Sequence, residues 1–226
     1  MGMKLDRVVP FGRTLAEYRL MFNLTNADLQ RQILDIAAGP ASFTAEMYNL
    51  GYQVTAIDPI YHFSGAEIQQ RFNDCVDLII GQIENTSQDW VWKFHKSPAD
   101  LRHNRELSLQ LFLADYAAGK IAGRYISGEV PNGIGDKSYD LVLCSHFLLL
   151  YSAQLSWEFH CQTVTKLLQH THELRIFPLL TLMFDRSPYI DRLCEHVEKM
   201  GYQTQIVPVE YELQPGGNEM LIICKS

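Results

Sequence analysis

The chain has 226 residues, 47% of them hydrophobic and 11% aromatic, which is material for one α/β domain with its own core and unlike a disordered segment. Its formal net charge of −7 argues against a surface built chiefly to grip phosphate backbones, so no nucleic-acid partner is expected, although a local basic pocket is still allowed.

In chain order, residues 14–23 (TLAEYRLMFN) read as a short amphipathic helix, and QILDIA (32–37) as a buried strand. After Gly39-Pro40, Phe43, Met47 and Leu50 share a helical face that Gly51 terminates, and YQVTAID (52–58) is the second strand. Residues 66–83 carry the helical apolar positions Ile68, Phe72, Val76, Ile79, Ile80 and Ile83. A helical insertion over about 86–119 follows, with Ser97-Pro98-Ala99-Asp100 as a capping box, Leu109, Phe112, Leu113 and Tyr116 as one stripe, and Gly119 to close the helix. Strands are expected near 123–127, over SYDLVLCS (138–145) and over ELRIFPLLTL (173–182), with a helix at 154–169 between the last two. Ser187-Pro188 should cap a helix ending at Met200-Gly201, and QPGG should turn the last two strands into a hairpin.

This alternation predicts an α/β fold: a mostly parallel seven-stranded sheet with helices on both faces and an antiparallel C-terminal edge hairpin, all in a single domain over 1–226. Ligands in such sheets sit beyond the carboxyl ends of the strands, where strand order switches. The site is therefore expected just after Ile36, Ile57, Ile126 and Cys144. No apolar run approaches the roughly 20 residues of a membrane span. The opening MGMKLDRVV is charged where a secretory segment would be apolar, and Asp6 spoils an N-myristoylation match. Cys75, Cys144, Cys161, Cys194 and Cys224 are odd in number and form no C-x-x-C, a pattern suited to reduced thiols, so a cytoplasmic location is expected.

ILDIAAGPASF (33–43) runs from strand into helix through a turn of tiny residues. Ala37, Ala38, Gly39 and Ala41 let a polar ligand approach the backbone, and Gly39 supplies a conformation only glycine takes easily. Asp58 ends the second strand, where a carboxylate can accept both ribose hydroxyl protons of an adenosyl group, a feature that also suits NAD. Taken alone, the loop also reads as an ordinary tight corner.

Asp35-x-Ala37-x-Gly39-x-Ala41 resembles the first motif of class I (Rossmann-like) S-adenosylmethionine-dependent methyltransferases, with alanine at two places where glycine is more usual. GIGDKSYDLVLCSHFLLLY (133–151) is similar to the family's fourth-strand region, and the terminal strand pair to its antiparallel edge, so the likeness covers about residues 30–225. PFGRTLAEYRLMFNL and GPASF further resemble a group of small bacterial methyltransferase-like proteins.

The resemblance implies S-adenosyl-L-methionine as cofactor and a small-molecule methyl acceptor. Asp35 would orient the loop and the methionine ammonium, with Ala37, Ala38 and Gly39 beside the methionine part. Asp58 would bind the ribose, Pro59 and Ile60 would wall the adenine, and Glu129 would read its edge. Ser145 and His146 would line the point of methyl delivery, with His146 as a general base or as a packed, helix-starting histidine. Tyr151 and Asp115 are further base candidates. Arg13 and Tyr18 either help close the pocket or serve packing, and Trp90, Trp92, Phe94 and His95 either form a substrate lid or lie in the core. His170-x-His172 and His160-Cys161 read as ordinary histidines, and no metal is expected. A cofactor-binding protein without turnover and a NAD-dependent oxidoreductase are the alternative functions.

Overall fold

The computed structural model describes residues 3 and 8–225; Met1, Gly2, residues 4–7 with Asp6, and Ser226 lie outside the described residues, as do those parts of the 1–226 domain reading. The elements in order are α1 (Leu15–Met21), β1 (Ile33–Ile36), α2 (Phe43–Asn49), β2 (Val54–Asp58), α3 (Gly65–Asn85), α4 (Pro98–Ile121), β3 (Tyr125–Ser127), β4 (Leu141–Ser145), α5 (Trp157–Leu168), β5 (Glu173–Phe177), α6 (Ile190–Lys199), β6 (Tyr202–Pro208) and β7 (Glu219–Lys225). They form a seven-stranded sheet in the order β3-β2-β1-β4-β5-β7-β6. β1 to β5 are parallel, and β7 runs antiparallel between β5 and β6. Strand order reverses between β1 and β4, so a crevice opens at their carboxyl ends.

Three layers of core hold this sheet. On one face, Leu34, Ile36, Val142 and Ile176 pack against Val164 and Leu167 of α5 and Leu193 and Val197 of α6. On the other, Ile33, Leu141 and Leu143 meet Tyr18, Phe22, Phe43 and Met47 of the α1–α2 region. α3 and α4 form a third cluster around Ile68, Phe72, Phe112 and Tyr116 beside β3. Alternation along β1 sends Leu34 and Ile36 to the first face and Ile33 to the second, so Asp35 points toward α1.

Local chemistry explains most helix starts. Thr14 and Glu17 form a capping box at α1, and Ser64 and Glu67 form another at α3. At α4, Ser97 accepts from the Asp100 N–H, while Asp100 reaches one residue further back, to the Lys96 N–H at 2.8 Å. The expected Ser97–Asp100 capping box is thus only half formed, and three further expectations need correction. Gly119 does not end α4: it lies inside the helix, where an added Cβ would come within 2.4 Å of the Tyr125 ring, and Gly123, at φ +77°, follows the helix end. Ser187 does not cap α6 directly; Tyr189 holds that place, and the Ser187 hydroxyl bonds Ser152 Oγ at 2.6 Å. QPGG does turn, Gly217 N–H meeting Gln214 O at 2.8 Å, but it lies within a longer connection over 209–218 rather than joining the strands directly.

Candidate functional site

The loop after β1 is fastened on every side. Gly39 N–H donates to Asp58 Oδ2 at 2.8 Å, and the Tyr61 hydroxyl donates to Gly39 O at 2.7 Å. Ser42 N–H donates to Arg13 O at 3.1 Å. Gly12 lies so close that a Cβ there would stand 2.1 Å from Pro40 O, so only glycine lets the N-terminal segment rest on the loop. Gly39 sits at φ +55° with nothing within 4 Å of its missing Cβ. Ala37 takes φ +51°, so the left-handed backbone is used at two loop positions, one of them alanine. The sequence reading assigned that conformation to Gly39, and the structure adds Ala37 to it.

A cavity of about 610 Å³ opens over this loop at the carboxyl edge of the sheet. Ala37, Ala38 and Gly39 line it after β1, Asp58, Pro59 and Ile60 after β2, Gly128 and Glu129 after β3, and Ser145 and His146 after β4. Arg13, Trp90, Tyr151 and Tyr211 complete the wall. Asp35 stays out. Its side chain is fully buried on the α1 side of the sheet, where Oδ2 accepts from the Tyr18 hydroxyl at 2.8 Å and Oδ1 has no partner. Tyr18 is likewise not in the cavity wall. Asp115 lies elsewhere on α4, paired with Arg124 at 2.5 Å and with the Tyr125 hydroxyl at 3.0 Å. Of the aromatic insertion, Trp90 faces the cavity, while Phe94 and His95 pack inward against Tyr211.

Electrostatics divide the acidic groups. Burial raises the Asp35 carboxyl to about 8, helped by the charge of Asp58. Burial raises Asp58 to about 6, against the pull of the N–H groups of Ile60 and Gly39. Asp58 accepts one backbone N–H on each oxygen, from Ile60 at 2.7 Å and from Gly39, which leaves a lone pair on each for hydroxyl donors. His146 has φ +51°, packs edge-on to Phe177 with centroids 5.3 Å apart, and has Nδ1 2.9 Å from Ser145 Oγ. Burial, then the charges of Arg13 and Arg105, hold its imidazole well below the usual histidine range, so it is neutral at pH 7.

Behind the cavity stands a polar group that sequence reasoning missed. Arg105 of α4 grips Glu17 of α1 with two bonds, 2.8 and 2.6 Å. His95 Nε2 and the Tyr211 hydroxyl also meet Glu17 Oε1, at 3.1 and 3.0 Å. The signal available was the Thr14-x-x-Glu17 capping box, which marks Glu17 for a structural role but does not reveal its distant partners. Among the described residues no group of three His, Cys, Asp or Glu side chains is placed to hold a metal ion. His160 is buried between the carbonyls of Ser156 and Leu148, at 2.7 and 2.9 Å. Cys144, Cys161, Cys194 and Cys224 are free thiols, and no helix of the described residues is long and apolar enough to cross a membrane.

Sheet order, antiparallel edge and loop placement define a class I methyltransferase fold. Solved structures agree at the level of fold. The mitomycin 7-O-methyltransferase MmcR superposes with a TM-score of 0.52 at 13% identity, over 94% of this chain and 54% of its own. The glycopeptide N-methyltransferase MtfA, complexed with S-adenosyl-L-homocysteine, gives 0.50 at 11% identity over 98% and 93%. The magnesium protoporphyrin IX methyltransferase ChlM of Synechocystis PCC 6803, with bound S-adenosylhomocysteine, gives 0.50 at 11% over 93% and 81%. No protein-family model matches the chain. The uncharacterised protein MJ0045 of Methanocaldococcus jannaschii is 33% identical over 223 residues, 98% of both chains, and the chain belongs to the same family as that protein.

Proposed function

We propose that this chain, working as one domain, is an S-adenosyl-L-methionine-dependent methyltransferase acting on a small-molecule acceptor in the cytoplasm. The observation that carries the reading is the Gly39–Asp58 pair: a left-handed glycine open to the cavity, its N–H held by the acidic residue that ends the neighbouring strand, at the switch point of a methyltransferase sheet. The residues fit the cofactor. Asp58 keeps a lone pair on each oxygen for a ribose diol, the space beside Gly39 would be filled by any Cβ, and Pro59 and Ile60 offer an apolar wall for adenine, with Glu129 at the exposed rim.

When bound, the sulfonium supplies an electrophilic methyl group, so the protein's work is mostly alignment. Ala37, Ala38 and Gly39 present backbone to the cofactor's methionine part. Asp35 acts from behind the loop, through Tyr18 and its own charge state, rather than by touching ligand. If Nδ1–H is donated to Ser145 Oγ, Nε2 is left as the base for an acceptor acidic enough to yield its proton to an imidazole that burial, Arg13 and Arg105 hold below its usual basicity. Tyr151 borders the same space.

Thermal denaturation tests the reading. Saturating S-adenosylmethionine and S-adenosylhomocysteine should each raise the melting temperature by several degrees, on the scale of about 2.7 kcal/mol at a hundredfold excess over Kd, and NAD should not. Gly39→Val meets no atom within 4 Å but is strained at φ +55°, so it should fold with a lowered melting temperature and lose that response. Failure of both adenosyl ligands to shift the wild-type protein overturns the assignment. Transfer of label from methyl-labelled cofactor into a metabolite extract separates an enzyme from a protein that only binds the cofactor.

A further inference from the structure

The inner end of the cavity carries more positive charge than the described residues neutralise. Two guanidinium groups, Arg13 and Arg105, stand close enough to depress the basicity of His146 together, and Glu17 is the carboxylate whose charge Arg13 feels. Glu17, however, is engaged by both terminal nitrogens of Arg105, by His95, by Tyr211 and by the N–H of Thr14. Arg13 has only the Phe11 carbonyl, at 2.6 Å, and its Nε is buried with no partner. Among the described residues it forms no ion pair, yet it lines the cavity beside Ser145, His146 and Tyr151. A half-buried cation left without a counter-charge is costly unless a ligand supplies one, and a planar guanidinium fits a carboxylate through paired N–H donors.

We infer that Arg13 is a carboxylate anchor at the inner end of the cavity, holding either the amino-acid carboxylate of the cofactor or a carboxylate of the acceptor. The cofactor arm rests on the methyltransferase reading; the anchor itself rests on the unpaired guanidinium. His95 and Arg105 cannot replace it, because both face Glu17. Tyr211, whose hydroxyl donates to Glu17, adds a ring to the wall but no charge.

The experiment compares wild type, Arg13→Gln and Arg13→Lys by calorimetry and thermal shift, with three probes. These are S-adenosylhomocysteine, 5′-methylthioadenosine, which keeps the adenosyl thioether but lacks the carboxylate, and benzoate. A ten- to hundredfold loss of S-adenosylhomocysteine affinity in Arg13→Gln, with methylthioadenosine unchanged and Arg13→Lys intermediate, assigns the anchor to the cofactor. Unchanged S-adenosylhomocysteine with loss of the benzoate-induced shift assigns it to the acceptor. The ligand-free Arg13→Gln protein should melt no lower than wild type, since an unpaired charge has been removed. Equal loss of both nucleosides, or no change with any probe, overturns the inference. If wild type binds neither nucleoside, the cofactor reading fails separately and the benzoate comparison alone decides the anchor.

Discussion

At the scale of single residues, Asp35 and Asp58 make the fold sensitive to pH. Burial raises their carboxyls from 3.8 to about 8 and about 6, so the folded protein holds protons that the unfolded chain has already released. Their contribution to stability is complete below about pH 4 and declines as pH rises through 6 and then 8. Asp35→Asn keeps an acceptor for the Tyr18 hydroxyl and cannot ionise. Its melting temperature should vary less than wild type between pH 6 and 9 and exceed it at pH 9, whereas parallel curves would refute the protonated, buried carboxyl. The resemblance gave Asp35 a ligand-facing role, but the period-two alternation of β1 turns it toward Tyr18. Ala37 shows the opposite limit of legibility: nothing in an alanine announces φ +51°, a conformation that costs an L-residue about 1–2 kcal/mol. Gly39 was legible because a glycine set in a turn of tiny residues points directly to a left-handed backbone.

At the scale of elements, the contact between the N-terminal segment and the β1 loop is the tightest around the site. Gly12→Ala places a Cβ where Pro40 O already stands, and backbone on both sides resists the shift. It should cost about 1–3 kcal/mol and diminish the response to S-adenosylhomocysteine. Gly81→Ala, a helical position with nothing within 4 Å, should stabilise the protein by up to about 1 kcal/mol. A Gly12→Ala protein as stable and responsive as wild type would contradict the packing described. Each α-helix and β-strand of the described residues was legible in the sequence, because apolar period and capping residues are local signals, whereas short 3-10 turns such as Pro59–His62 were not. Gly119 and QPGG misled for a shared reason: each was read as punctuation, while its role depends on side chains from elsewhere, the Tyr125 ring in one case and the long 209–218 connection in the other.

At the scale of the whole molecule, Glu17 joins three distant parts of the chain: α1, the 86–121 insertion through His95 and Arg105, and the 209–218 connection through Tyr211. Neutralising it strands a buried guanidinium. Glu17→Gln should lower stability by about 3–5 kcal/mol and the melting temperature by on the order of 10 °C, measured by calorimetry. A loss of less than about 1 kcal/mol would mean that the ion pair is dispensable. Sequence reading could not see this arrangement, since pairings between residues so far apart leave no periodic trace.

The cavity wall is built from residues early and late in the sequence, Met3 and Val8 at one extreme and Gln214 and Gly217 at the other. Such long-range closure means that the wall near Arg13 stays incomplete until the 209–218 segment has been made and folded onto it. A nascent chain stalled before Tyr211 can already pair β1 to β5, yet it lacks one side of the pocket. Ligand capture therefore depends on the 209–218 segment, and stalled ribosome complexes of increasing length, each carried on a linker that spans the exit tunnel, should acquire it only after that segment has emerged.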